Sequence, residues 1–68
     1  MREWLRDLRN QKGLTMKNMA EKLGISESHY CAIENGERQK KMDMLLASGL
    51  SAILEVPVSR IVQLDLKQ

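Results

Sequence analysis

The 68-residue chain contains no Phe and only one each of Trp, Tyr, Pro, His and Cys. The single cysteine, Cys31, excludes an internal disulfide and a thiolate zinc cluster, and it fits a reducing, cytoplasmic setting. One histidine beside one cysteine falls short of the ligands that structural zinc needs, and no Gly-rich loop precedes a helix as a phosphate cradle would. The sequence shows no long apolar run, signal peptide or lipidation motif, so a soluble intracellular protein with no membrane contact is expected. Internal repeats, low-complexity tracts and linkers are also missing. With aromatics at 3% and hydrophobic residues at 43%, the interior must be built from Leu, Ile, Val and five Met, a composition suited to helices packed on helices. A chain this short has room for one domain, 1–68, which buries only about 60% of the surface its unfolded form exposes.

Catalytic groups are equally scarce. His29 and Cys31 stand two residues apart and point to different sides of one helix, and Ser26 and Ser28 have no second histidine to serve as base. The reading is therefore of a protein that is not an enzyme and uses no cofactor, metal or small-molecule ligand.

What is present is helical periodicity. Leu5 and Leu8, with Trp4 on the flank, predict a first helix from about Arg2 to Gln11 that ends before Gly13. Met16, Met19, Ala20 and Leu23 recur at i, i+3, i+4 and i+7 behind a Thr15 cap, so a second helix spans Leu14 to Leu23 and stops at Gly24. Ser26 caps a third, from about Glu27 to Asn35, with Ile25 and Tyr30 placed to clasp as a hydrophobic staple. Gly36 supplies the left-handed residue that ends it. The spacing of Leu46, Gly49, Leu50, Ile53 and Leu54 predicts a core-facing helix from about Met42 to Leu54, in which Gly49 implies close packing on a neighbour. Pro57 opens a fifth element whose Val58, Ile61 and Val62 close the bottom of the core. The alternation of Leu64, Asp65, Leu66 and Lys67 fits a helix end or an extended tail equally well. The fold class is all-α, a compact five-helix bundle.

Two short helices joined by a Gly-led turn, over 15–36, are the means by which a protein sets a helix into a DNA groove. At about 100° per residue, Tyr30 and Ile33 define the buried side of the third helix. Ser28 and Asn35 then lie nearly opposite, Cys31 and Ala32 about 130° away on either side, and Glu27 and His29 on the amino-terminal flanks. Glu27, Ser28 and Ala32 are the first candidates for base contact, with His29 and Cys31 second. Glu27 can accept from a cytosine amino group, Ser28 can bond several base edges, and the Ala32 methyl can touch a thymine methyl. Glu27 in a first helical turn is also favourable through the helix dipole alone. Backbone contacts are expected from Lys17, Asn18, Asn35, Arg38, Gln39, Lys40 and Lys41, which straddle the inserted helix; the run 38–41 reads equally as solvated surface. The net charge of +2 is too mild to decide between them. Arg9 leans to the core side of the first helix and Glu34 to the inner edge of the third. Neither can be buried alone, so they are expected to pair.

The segments L-R-D-L-R-N-Q-K-G-L-T, M-A-E-K-L-G-I-S, Y-C-A-I-E-N-G-E-R and L-E-V-P-V-S-R-I-V follow one another as in the Cro/C1-type, XRE-like helix-turn-helix family of phage-repressor-like regulators, which most of this chain resembles. The resemblance implies a lambda-repressor-like five-helix domain. It also implies a transcriptional regulator, in the repressor mould, binding double-stranded DNA as a homodimer on two half-sites, and it supports the Arg9–Glu34 pair. Met16 stands where the family commonly has a phosphate-touching Gln, a contact that would pass to Lys17 or to helix-end amides. With few strong donors at the reading positions, specificity would lean on DNA shape. Leu64 and Leu66 are candidates for the dimer contact. The rival reading is an antitoxin-like or accessory interaction module on the same fold, its partner held by Leu64, Leu66 or the Met42 to Met44 segment.

Overall fold

The computed structural model describes residues 1–36 and 42–67, and among these every regular element is a helix. In chain order they are α1 (Glu3–Gln11), α2 (Met16–Leu23), α3 (Glu27–Asn35), α4 (Met44–Leu54) and α5 (Val58–Leu66). Helix α2 packs on α3 and α4, α1 on α3, and α4 on α5. Between them lies one core of Leu5, Met19, Ala20, Tyr30, Ile33, Ala47, Leu50, Leu54 and Ile61, with Trp4, Leu8 and Leu23 among the half-buried residues around it. Each helix contributes a stripe rather than a whole surface, which is why helices of eight to eleven residues that would be marginal alone hold together here.

Local signals placed the ends of α1 to α4 correctly, whereas four starts were displaced, with α1 beginning at Glu3 rather than Arg2 and α2 at Met16 rather than Leu14. Helix α4 begins at Met44 rather than Met42, because the Asp43 side chain accepts a hydrogen bond from the Leu46 amide at 2.7 Å and caps the helix there. Its deepest residues are Ala47, Leu50 and Leu54, whereas Leu46 and Ile53 are half-buried. Pro57, expected as the first helical residue, is the cap instead, with ψ 143° outside the helical range. The ambiguous tail is helical through Leu66.

Gly49 bears out the reason inferred for it. A Cβ there would meet Leu23 Cδ2 at 2.9 Å, so α4 lies close on α2 at this point and a larger residue would have to turn the Leu23 side chain aside. Glu55, by contrast, ends α4 at φ 59°, a left-handed conformation that costs a residue with a Cβ. Its carboxylate pairs with Lys12, which holds the Glu55 carboxyl below its ordinary value. A lowered folded value means the pair's contribution is present at neutral pH and lost as pH falls through the carboxylate range; full exposure keeps it small. Glu55→Gly is therefore expected to raise the melting temperature by a few degrees, because relief of the backbone outweighs loss of the pair. A thermal melt followed by circular dichroism checks this, and a lowered midpoint would reverse the ranking.

Candidate nucleic-acid interface

The geometry of α2 and α3 is specified within a few residues. Thr15 Oγ1 accepts from the Asn18 amide at 3.0 Å while Asn18 Oδ1 accepts from the Thr15 amide at 3.1 Å, a reciprocal box that closes the start of α2. Gly24, at φ 73°, then reverses the chain, and the Ile25 amide reaches back to the Ala20 carbonyl at 3.0 Å. Two residues later Ser26 Oγ accepts from the His29 amide at 3.1 Å and starts α3. Because Gly24 needs no Cβ in the left-handed region, the turn is short and the angle between the helices has little freedom.

Tertiary contacts fix the other side of α3. Arg9 donates from Nε to Glu34 Oε2 at 3.1 Å and from Nη2 to Oε1 at 3.3 Å, a two-pronged pair, and its Nη1 donates to the Leu14 carbonyl at 2.9 Å. The pairing expected of these residues is what the structure contains. Hydrogen bonding to Glu34 raises the Arg9 value further above an already high one, so the guanidinium stays charged. Burial, and then the adjacent Glu34 carboxylate, push the Tyr30 phenol above its ordinary value, so it enters the core neutral.

A second arginine was not anticipated. Arg2, whose side chain is fully buried, donates from Nε to Asp65 Oδ1 at 2.8 Å and from Nη1 to the Ile33 carbonyl at 2.5 Å, while its own amide donates to the Glu34 carbonyl at 2.8 Å. The start of the chain, the end of α5 and the last turn of α3 are thereby tied together. Arg2 and Asp65 lie 63 positions apart, and no local pattern links them.

The side of α3 facing away from these contacts carries the expected residues. Glu27, Ser28 and Asn35 are exposed, and Cys31 and Ala32 are half-buried beside them. Asn35 Nδ2 donates to Cys31 Sγ at 3.5 Å, joining two neighbours one turn apart. His29 is half-buried and lines a groove toward the start of α4, together with Leu46 and Asp43, rather than standing with Ser28. Lys17 is exposed at the start of α2, and Asn18 is half-buried with its oxygen committed to the cap. Arg38, Gln39, Lys40 and Lys41 lie outside the described residues. No group of three metal-ligating side chains occurs among the described residues, and no single helix there is long and apolar enough to cross a membrane. At the molecule's edges, Leu64 is half-buried and Leu66 exposed, and Met42 is half-buried where Met44 is exposed.

The sequence profile of the helix-turn-helix family matches residues 5–59. An uncharacterized HTH-type transcriptional regulator of Bacillus subtilis (strain 168), YqaE, is 44% identical over 54 residues, which are 79% of this chain and 45% of that protein. The chain thus spans under half the length of that relative. No solved structure matches. Matched over most of its length, and with the capped pair of helices and the arginine braces in place, the chain belongs to the helix-turn-helix family of the Cro/C1, XRE-like type.

Proposed function

We propose that this chain is a sequence-specific DNA-binding transcriptional regulator, a repressor, that sets α3 into the major groove as a homodimer on two half-sites. The observation that carries the reading is the division of α3 into two sides. Its inner side is held by two caps, the core and two arginines, and its outer side presents Glu27, Ser28 and Asn35 to solvent. A helix held this rigidly loses little freedom on entering a groove, so its contacts go into recognition rather than into ordering the protein. The name of the Bacillus subtilis relative, an HTH-type transcriptional regulator, points the same way. Glu27, Ser28 and Ala32 would meet base edges, with Cys31 and His29 at the margins. Lys17, Asn18 and Asn35 would meet phosphates, as would 38–41.

Selection of bound sequences from a random duplex pool tests this. Two half-sites with centres about 34 Å apart are expected, one helical turn on one face of the DNA. Affinity should fall steeply with salt as counterions are released, and a flat response would favour the interaction-module reading instead. Glu27→Gln and Ser28→Ala should change the preferred base, whereas Lys17→Ala should weaken all sequences alike and reduce the salt slope by about 1. Uniform behaviour of the three variants would remove the division into reading and anchoring residues.

A further inference from the structure

We propose that Glu27 makes this chain sensitive to amino-group methylation of DNA: it takes a half-site with cytosine opposite the start of α3, and is excluded when N4 of that cytosine carries a methyl group. The inference rests on the regulator reading and names the DNA that such a regulator would take. Helix α3 contains no Lys or Arg, so it offers nothing that pairs well with the acceptors of guanine. Its two carboxylates have different settings. Glu34 is buried and paired with Arg9, whereas Glu27 is exposed, and among the described residues no cation pairs with it. Ser26 Oγ, accepting from the His29 amide at 3.1 Å, fixes where α3 begins, so Glu27 is its first residue and stands at the end that meets base edges.

The helix dipole accounts for an acid at this end in the free protein, but not for one that must approach phosphates of its own sign. Only a hydrogen-bond donor on a base offsets that repulsion. In the major groove the donors are the amino groups of cytosine and adenine, and adenine sets the acceptor N7 beside its amino group, against the second carboxylate oxygen. Cytosine is therefore the better match. Of its two N4 hydrogens one pairs with guanine and the other faces the groove. A methyl group on N4 of a paired cytosine takes the place of the groove-facing hydrogen, which leaves the Glu27 carboxylate desolvated, without a donor and against an apolar group. A methyl group on C5 leaves both hydrogens in place, so the exclusion belongs to the amino group.

Selection from random duplexes with wild type and with Glu27→Gln locates the base pair that Glu27 faces, as the position where the two preferences part. Wild type is expected to take a C·G pair there, and Glu27→Gln an A·T pair, because an amide matches both N6 and N7 of adenine. Titration of the full chain with duplexes carrying cytosine, N4-methylcytosine or 5-methylcytosine at that position then reads the contrast. The N4 methyl group should weaken wild type about tenfold or more, and the C5 methyl group far less. Glu27→Ala should bind cytosine and N4-methylcytosine alike. Both variants should melt close to wild type, since Glu27 is exposed, so a changed preference is not a sign of unfolding. An A·T pair selected by wild type overturns the proposal, as does a preference that Glu27→Gln does not alter, equal wild-type affinity for cytosine and N4-methylcytosine, or a contrast that survives in Glu27→Ala. Binding without the contrast defeats this inference alone, whereas failure of wild type to bind any duplex defeats the regulator reading and this inference with it.

Discussion

Replacing Arg9 with alanine is expected to destabilise the protein by about 3 kcal/mol, the lower end of the range for breaking a buried ion pair, since the Arg9 side chain itself reaches solvent in part. The loss comes from what is left behind. Glu34 keeps only 4% of its side chain exposed, so without Arg9 its carboxylate would lie against the core beside a neutral phenol, and the Leu14 carbonyl would lose its donor. A chain of this length has a folding free energy of roughly 3–10 kcal/mol, so the substitution removes about 30% of it or more. Glu34→Gln should cost less, about 1–2 kcal/mol, because an amide oxygen still accepts from the guanidinium. Arg9→Met combined with Glu34→Leu should recover most of the loss, since a well-packed apolar pair has no charge to desolvate. Urea unfolding of the four proteins checks the order. Midpoints equal to wild type for both single variants would show that the pair is only a surface contact.

Arg2→Ala is expected to have an effect of similar size, about 3 kcal/mol, and to reach further. Its guanidinium joins the Asp65 carboxylate, on α5, to the Ile33 carbonyl, on α3, so one truncation leaves a nearly buried carboxylate and a helix-end carbonyl short of a donor. Because that carbonyl belongs to the last turn of α3, the loosened segment is the one that would carry Asn35 to the DNA. Duplex affinity should therefore fall along with stability. A double-mutant cycle between Arg2→Ala and Asp65→Ala isolates the pair, and a coupling energy of 1 kcal/mol or more is expected for charges held within hydrogen-bonding distance. No coupling, or an Arg2→Ala melt at the wild-type temperature, would show that the start of the chain does not brace α3.

These two arginines differ in how far they could be foreseen. Arg9 sits at a helical spacing from Leu5 that turns it inward, and Glu34 follows Ile33 at the edge of a helix whose buried side Tyr30 and Ile33 define. Two opposite charges facing one core are expected to meet rather than be buried singly, and the family resemblance supports the same pair. Arg2 precedes the first periodic residue and Asp65 lies in the short alternation of the tail, where helix and extended chain read alike. Only the tertiary fold, which sets the end of α5 beside the residue before α1 and the last turn of α3, brings them within 2.8 Å.

The same contrast runs through the rest of the chain. Thr15, Gly24, Ser26 and Gly36 act on amides or on their own φ within three or four residues, so helix limits and the angle between α2 and α3 could be derived before any tertiary contact was considered. The outward face of α3 follows from its 100° periodicity, and Glu27, Ser28 and Asn35 are exposed as that geometry requires. The depth of Ala47 could not be derived. A small apolar residue is equally compatible with surface and core, and its complete burial depends on how closely α4 approaches the rest of the bundle. The left-handed end of α4 at Glu55 and the placement of the start of α4 beside the flank that carries His29 were likewise settled by packing. Order along the chain, caps and helix faces are short-range matters that residue spacing encodes directly. Which inward side chains reach the centre, which charges find one another and which apolar groups remain uncovered depend on how five helices share one small interior, and that is decided only when they meet.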